Sequence, residues 1–167
     1  MALLNIDEFS SYFKGGAKSY LFEWTPNTKF LRNDFKFLVR ASSVPSTSIE
    51  EIVVEYQQIN FKMGGKKNFE DWTISLNIDP KSDVRKKFED WSNKIHEVGD
   101  NKYVHHYSKD YVSIEEFYML DGNGNKLLTV KLFDAWPKTI GSITMDYSSQ
   151  DFAQFDVTFS YLYHIIT

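Results

Sequence analysis

From Ala153 to Ile165 the chain alternates apolar and polar residues. Ala153, Phe155, Val157, Phe159, Tyr161, Tyr163 and Ile165 share one parity; Gln154, Asp156, Thr158, Ser160 and His164 share the other. That period of two predicts one long strand, about twice the usual length, with a dry and a wet face. So long a wet-faced strand predicts a sheet that continues beyond one subunit. The stretch Phe69–Ile78 alternates in the same way. Trp72, Ile74, Leu76 and Ile78 face inward, with Asp71, Thr73, Ser75, Asn77 and Asp79 outward. With the less regular run Ser48–Lys62, it predicts a long hairpin over 46–79. Its expected tip is Met63, Gly64, Gly65, Lys66, Lys67 and Asn68: glycines for the turn and lysines in water. After Pro80 the period changes. Val84, Phe88, Trp91, Ile95 and Val98 form one stripe of a helix over 82–98, with Asp83 in its first turn and Gly99 as its stop.

The remaining elements are shorter. Ile6, Phe9 and Phe13 predict a helix from Asn5 to Lys14, capped by Asn5 with Glu8 and ended by Gly15-Gly16, so that 1–16 is an N-terminal helical segment. Strands are expected at Tyr20–Trp24 and at Asp34–Ser42, where Phe35, Phe37 and Val39 share a side. Val112–Leu120 and Lys126–Phe133 predict a hairpin around Asp121-Gly122-Asn123-Gly124-Asn125. Residues 100–110 read as a polar loop. Pro137 should break its strand, leaving Trp136 to anchor a crossover on the core. The sum is a single domain over 1–167, mainly β with one or two flanking helices, built as an antiparallel β-sandwich or partial barrel.

Composition narrows the function. Seventeen per cent aromatic residues favour sheet, and a net charge of −4 disfavours a protein that grips nucleic acid electrostatically. There is no cysteine, hence no disulfide, thiol nucleophile or thiolate metal site. No apolar run approaches a membrane span, and no signal peptide is visible. The 121–125 segment starts like a calcium loop. Lys126 stands where such a loop needs glycine, and Leu132 where it needs a bidentate glutamate, so a plain turn is expected. His105-His106 lacks a third ligand at useful spacing. Glu115 and Glu116, adjacent in a strand, point to opposite faces and cannot share a substrate. Nucleophile elbows, phosphate loops and dinucleotide fingerprints are absent, so neither enzyme chemistry nor a cofactor is expected.

Three blocks, in order, resemble the tail tube proteins of contractile-tailed bacteriophages. They are Phe69-Glu70-Asp71-Trp72-Thr73-Ile74-Ser75-Leu76-Asn77, then Arg85-Lys86-Lys87-Phe88-Glu89-Asp90-Trp91, then Leu132-Phe133-Asp134-Ala135-Trp136-Pro137-Lys138-Thr139-Ile140-Gly141. Ala41-Ser42-Ser43-Val44-Pro45 fits the same pattern. The resemblance implies a structural subunit whose sheet joins a continuous inner barrel in a hexameric ring, with the helix over 82–98 outside. It implies rings stacked into a hollow conduit for DNA ejection, a sheath outside, and baseplate and terminator proteins at the ends. It implies location in the virion after assembly in the host cytoplasm, with no membrane partner. Asp71, Thr73, Ser75, Asp79, Asp156, Thr158 and Ser160 would line the lumen and let DNA pass without specific binding. Met63 to Asn68 would reach a neighbouring subunit or ring. Tube proteins of related contractile injection or type VI secretion systems, and baseplate or terminator proteins of the same fold, share the pattern. A ligand-binding β-sandwich remains as a different class.

Overall fold

A computed structural model describes residues 6–97 and 108–167. The Asn5–Glu8 cap, Val98, Gly99 and the His105-His106 pair lie outside what it describes.

The helix α1 (Ile6–Phe13) carries its apolar stripe in the open, with Phe9 stacked on Phe13 at 5.3 Å. Gly15 and Gly16 follow at φ 84° and 63°, the left-handed geometry that ends helices at glycine. The strands are β1 (Phe22–Thr25), β2 (Val39–Ser42), β3 (Thr47–Tyr56), β4 (Ile59–Phe69) and β5 (Trp72–Asn77). After α2 (Asp83–Ile95) come β6 (Ser113–Leu120), β7 (Lys126–Ile140), β8 (Gln154–Ser160) and β9 (Tyr163–Ile166). One antiparallel sheet runs β1-β6-β7-β8-β5-β2, with β9 also on β7; β3 and β4 form a second sheet of two strands.

β7 joins the halves of the large sheet. Its first part pairs with β6 and β9, its last part with β8, and between them Asp134 sits at φ 54°. The sheet bends there and wraps a core of Trp72, Ile74, Leu76, Phe155, Val157 and Phe159. On that face α2 lays Val84, Phe88 and Trp91, all buried as the sequence stripe predicts. Trp91 stacks on Phe30 at 4.6 Å, and Phe88 meets Phe155 and Phe159 edge-on. Aromatic pairs of this kind add about 1 kcal/mol each beyond area burial. The hairpin around 121–125 forms as expected. Asp121 Oδ1 accepts from the Asn123 and Asn125 backbone N–H groups at 2.8 Å, so the turn itself occupies that carboxylate.

Five expectations change. The hairpin is Thr47–Phe69, not 46–79, and its turn is Gln57-Gln58 at φ 46° and 69°. Met63, Gly64, Gly65, Lys66, Lys67 and Asn68 therefore lie within β4, facing Ser48–Ile52, rather than at a tip. The glycines are used at a bulge, where a Cβ on Gly65 would stand 2.9 Å from Ile52 Cγ1. The long C-terminal strand is two: the chain leaves β8 after Ser160 and resumes as β9 against Val130–Phe133. The break reverses the faces, so His164 is buried while Tyr163 and Ile165 are exposed. Residues 33–38 form a 3-10 turn instead of strand, which buries Phe35 and exposes Phe37. Pro137 does not break β7. It is buried opposite Phe159, and a register shift before Thr139 absorbs its missing N–H. Trp136 is only half-buried, opposite Ser160 and edge-on to Tyr111 at 6.4 Å, so it does not anchor the core.

Candidate functional site

Two surfaces of the described residues stand open to solvent. The first is the arm formed by β3 and β4. Among the described residues its strands pair only with each other. Beyond the bulge, Tyr56 opposes Ile59, Val54 opposes Phe61 and Ile52 opposes Met63. Alternation puts all six on one face. The other face carries Glu51, Val53 and Glu55 against Gly64, Lys62 and Asn60, with Lys62 Nζ 3.0 Å from Glu51. The apolar face is in water, from 44% exposed at Met63 to 70% at Ile59. An isolated two-stranded hairpin is marginal at best, and a contiguous apolar face of this kind marks an interaction surface. The signal was present in the sequence as alternation mirrored about Gln57-Gln58. It is easily missed, because glutamine seldom takes positive φ and the nearby Gly-Gly attracts the turn assignment.

The root of the arm is fixed by an aromatic cluster. Phe69 meets the His164 ring at 5.1 Å and the Tyr161 ring at 6.3 Å, both edge-on. Tyr161 Oη lies 3.1 Å from His164 Nδ1, and Lys67 Nζ stands over the Phe69 ring at 5.2 Å. Burial, then the neighbouring Lys67 charge, lowers the His164 pKa. Burial, with Asp71 and Glu70 nearby, pushes the Tyr161 phenol up to about 12.

The second surface is the polar face of β5, β8 and the end of β7. Thr73 and Thr158 are register partners whose hydroxyls lie 3.0 Å apart, and Ser75 Oγ donates to Asp156 Oδ1 at 2.5 Å. Ser160 continues the row opposite Trp136. Asp71 lies on the same side, but its carboxylate is paired with Lys138 Nζ at 2.6 Å. Arg40 of β2 reaches Gln154 on this side too. The face is therefore mixed in charge, with two cations that sequence parity did not bring into the row. Asp79 is not part of it. β5 ends at Asn77, and Asp79 Oδ1 accepts from Val84 N at 3.0 Å, capping α2. Burial works against that carboxylate's charge, yet the surrounding backbone N–H groups prevail and lower its pKa.

A different polar group is enclosed in the core. Glu115 is wholly buried, whereas Glu116, on the opposite face of β6, pairs with Lys131 at 2.7 Å. Glu115 Oε2 accepts from Trp24 Nε1 at 3.0 Å and from Asn27 N at 3.4 Å, and Oε1 lies 2.8 Å from Ser113 Oγ. Burial pushes its pKa up to about 7, against the pull of the Ser113, Trp24 and Asn27 donors. The site is closed on all sides and holds β1 to β6. Among the described residues no group of three acidic or histidine side chains could hold a metal ion, and no helix is long and apolar enough to cross a membrane.

Comparison with known proteins gives the context for these surfaces. The chain is 24% identical to the tail tube protein gp19 of Enterobacteria phage T4, over 92% of this chain and 94% of that protein. Likeness to the gp19 protein of phage T6 is of the same extent. Among solved structures, the tube-terminating cap of the anti-feeding prophage superposes with a TM-score of 0.69 at 15% identity, covering 100% of this chain and 94% of that one. A chain of the sheath–tube complex of the extracellular contractile injection system PVC gives 0.65 at 18% identity, covering 95% and 97%. At these identities the structures speak for the fold alone. The family model described as phage tail tube protein matches residues 7–167, and the chain belongs to that family, whose members are structural subunits of the tail tube.

Proposed function

We propose that this tube subunit assembles as hexameric rings that stack into a hollow conduit, with the polar face of β5 and β8 lining the bore. The arm carries the reading. Among the described residues, six apolar side chains on one face of the hairpin stay exposed, which matches what a neighbouring copy must cover. The large sheet also ends in the open strands β1 and β2. Closure of those edges between subunits would remove a template for uncontrolled aggregation. A bore lined by Thr73, Ser75, Thr158, Ser160 and Asp156 offers phosphates few cations: Lys138 is held by Asp71, and Arg40 is engaged by Gln154. DNA would then slide without the counterion-release gain that binding requires. A sheath outside, a baseplate and a terminator at the ends, assembly in the host cytoplasm and residence in the virion complete the proposal.

Negative-stain imaging of the purified chain tests it, at high concentration and on a baseplate template. Hollow tubes of the unsubstituted chain are expected. Val54→Ser with Phe61→Ser should abolish them while leaving the melting temperature of the subunit unchanged. Strict monomers under both conditions refute the proposal.

A further inference from the structure

The turn between β6 and β7 holds the chain's one Asn-Gly pair, Asn123-Gly124. An asparagine side chain can close a ring on the backbone nitrogen of the next residue, which makes asparagine labile in proteins. A side chain on that next residue hinders the approach, and glycine has none. Asn27, Asn68 and Asn125 precede Thr28, Phe69 and Lys126 instead.

Three side chains of this turn stand where such a ring can form, and the structure separates them. Asp121 Oδ1 accepts from the Asn123 and Asn125 backbone N–H groups at 2.8 Å, and Oδ2 accepts from Asn125 Nδ2 at 2.9 Å. The Asn125 side chain, then its backbone N–H, lower the Asp121 pKa, and the Asn123 and Gly124 N–H groups add to them. That carboxylate stays ionised, and an anion resists attack by nitrogen. Asn125 has its amide tied to the same carboxylate and is followed by Lys126, where β7 begins. Asn123 differs from both. It is exposed, and among the described residues its side chain has no hydrogen-bond partner. Gly124 follows at φ 83°, and a Cβ added at Gly122 or Gly124 would meet nothing within 4 Å, so water has free access. One backbone bond guards the site: Gly124 N donates to Asp121 O at 3.1 Å. It lies at an exposed turn, where local opening costs little.

We propose that Asn123 is a site of spontaneous covalent modification that leaves an isoaspartyl link in the β6–β7 turn. The Gly124 nitrogen attacks Asn123 Cγ. A bond forms between them, the bond from Cγ to Nδ2 breaks, and Nδ2 leaves as ammonia with the proton that Gly124 gives up. Water then opens the cyclic imide. Cleavage between Cγ and the Gly124 nitrogen gives aspartate at 123. Cleavage between the residue 123 carbonyl carbon and that nitrogen leaves the chain running through Cβ and Cγ. In this second product the chain between the 123 and 125 N–H groups is one atom longer. Those two groups share Asp121 Oδ1, so the lengthened turn releases at least one of them.

The test is mass spectrometry of the full chain, aged in solution at pH 6 and pH 9 and then digested with trypsin. The peptide Asp110–Lys126 carries the site. A gain of about 1 Da is expected as the amide becomes an acid. Fragmentation should place it at residue 123, in two separable products. It should be faster at pH 9, because the attacking nitrogen must lose its proton. The isoaspartyl chain should unfold at a lower urea concentration than fresh chain. Asn123→Asp carries the new charge without the longer backbone and should keep the fresh midpoint. Asn123→Gln, whose longer side chain closes the ring poorly, should neither gain mass at 123 nor lose stability on ageing; Asn123→Ser, with no amide, serves the same purpose. Conversion of the chain in urea but not of the folded chain overturns the proposal, because the turn then protects the site. A gain that appears first at another asparagine overturns it as well. An isoaspartyl chain that keeps the fresh midpoint overturns the release of the Asp121 bonds.

Discussion

Glu115 offers the sharpest test of the packing described above. Its carboxyl is fully buried and its pKa is pushed up from an ordinary 4.5 to about 7. The hydrogen bonds explain which form the site accommodates. Ser113 Oγ lies 2.8 Å from Glu115 Oε1 and 3.3 Å from the Ala135 carbonyl oxygen. A hydroxyl has one hydrogen, so beside an ionised Glu115 the Ser113 hydroxyl can serve only one of those two acceptors. A protonated Glu115 donates to Ser113 Oγ, which donates to Ala135 O, while Oε2 still accepts from Trp24 and Asn27. The folded pKa is raised, so the unfolded chain loses this proton first as pH rises. The contribution is whole below about 4.5 and is lost as pH climbs to 7. At about 1.4 kcal/mol per pKa unit, the loss is about 3 kcal/mol. Glu115→Gln keeps the shape, donates to Ser113 Oγ and cannot ionise. Urea unfolding of both proteins at pH 5, 6, 7 and 8 is the assay. The variant should match the wild type at pH 5 and exceed it by roughly 2–3 kcal/mol at pH 8. A stability difference that does not change with pH would show that Glu115 is not held protonated by its burial. So would a variant that is less stable at pH 8.

Other expectations are briefer. At Gly141 an added Cβ would stand 2.9 Å from the Asp156 backbone oxygen, so Gly141→Ala should destabilise the subunit by about 1–3 kcal/mol in urea unfolding. The His164 pKa is lowered, so its contribution is present above pH 6.5 and lost as pH falls below it. His164→Phe should remove that part of the acid decline, read as melting temperature between pH 7 and pH 5. Thr158→Lys with Ser160→Lys should leave the fold intact and make DNA ejection from assembled particles slower at low salt, through the charge repeated along a narrow bore. Ejection rates measured against ionic strength decide it, and an unchanged rate in normal tubes would mean that these side chains do not face the DNA.

Local pattern determined much of this protein. The stripe Val84, Phe88, Trp91 is enough to make an amphipathic helix, and the alternation of Trp72, Ile74 and Leu76 is enough to make a one-sided strand, because both periods follow from backbone geometry alone. The Asp121–Asn125 turn was readable for the same reason. Its side chain bonds its own backbone. The ordered blocks from Phe69 to Gly141 also carried the family. What required tertiary structure was every choice between locally equal alternatives. Alternation from Ala153 to Ile165 does not reveal that β7 offers a second partner past Ser160, yet that pairing breaks the strand and turns His164 inward. Two glycines in a row suit a turn or a bulge equally well. The pairing of Ile52 with Met63 and Val54 with Phe61 decides for the bulge and puts the turn at Gln57-Gln58. Parity placed Asp71 and Asp79 in one row. Only the fold brings Lys138 to the first and the start of α2 to the second. Local geometry is a property of neighbours in the chain, whereas partners distant in sequence are chosen by the packing of the whole.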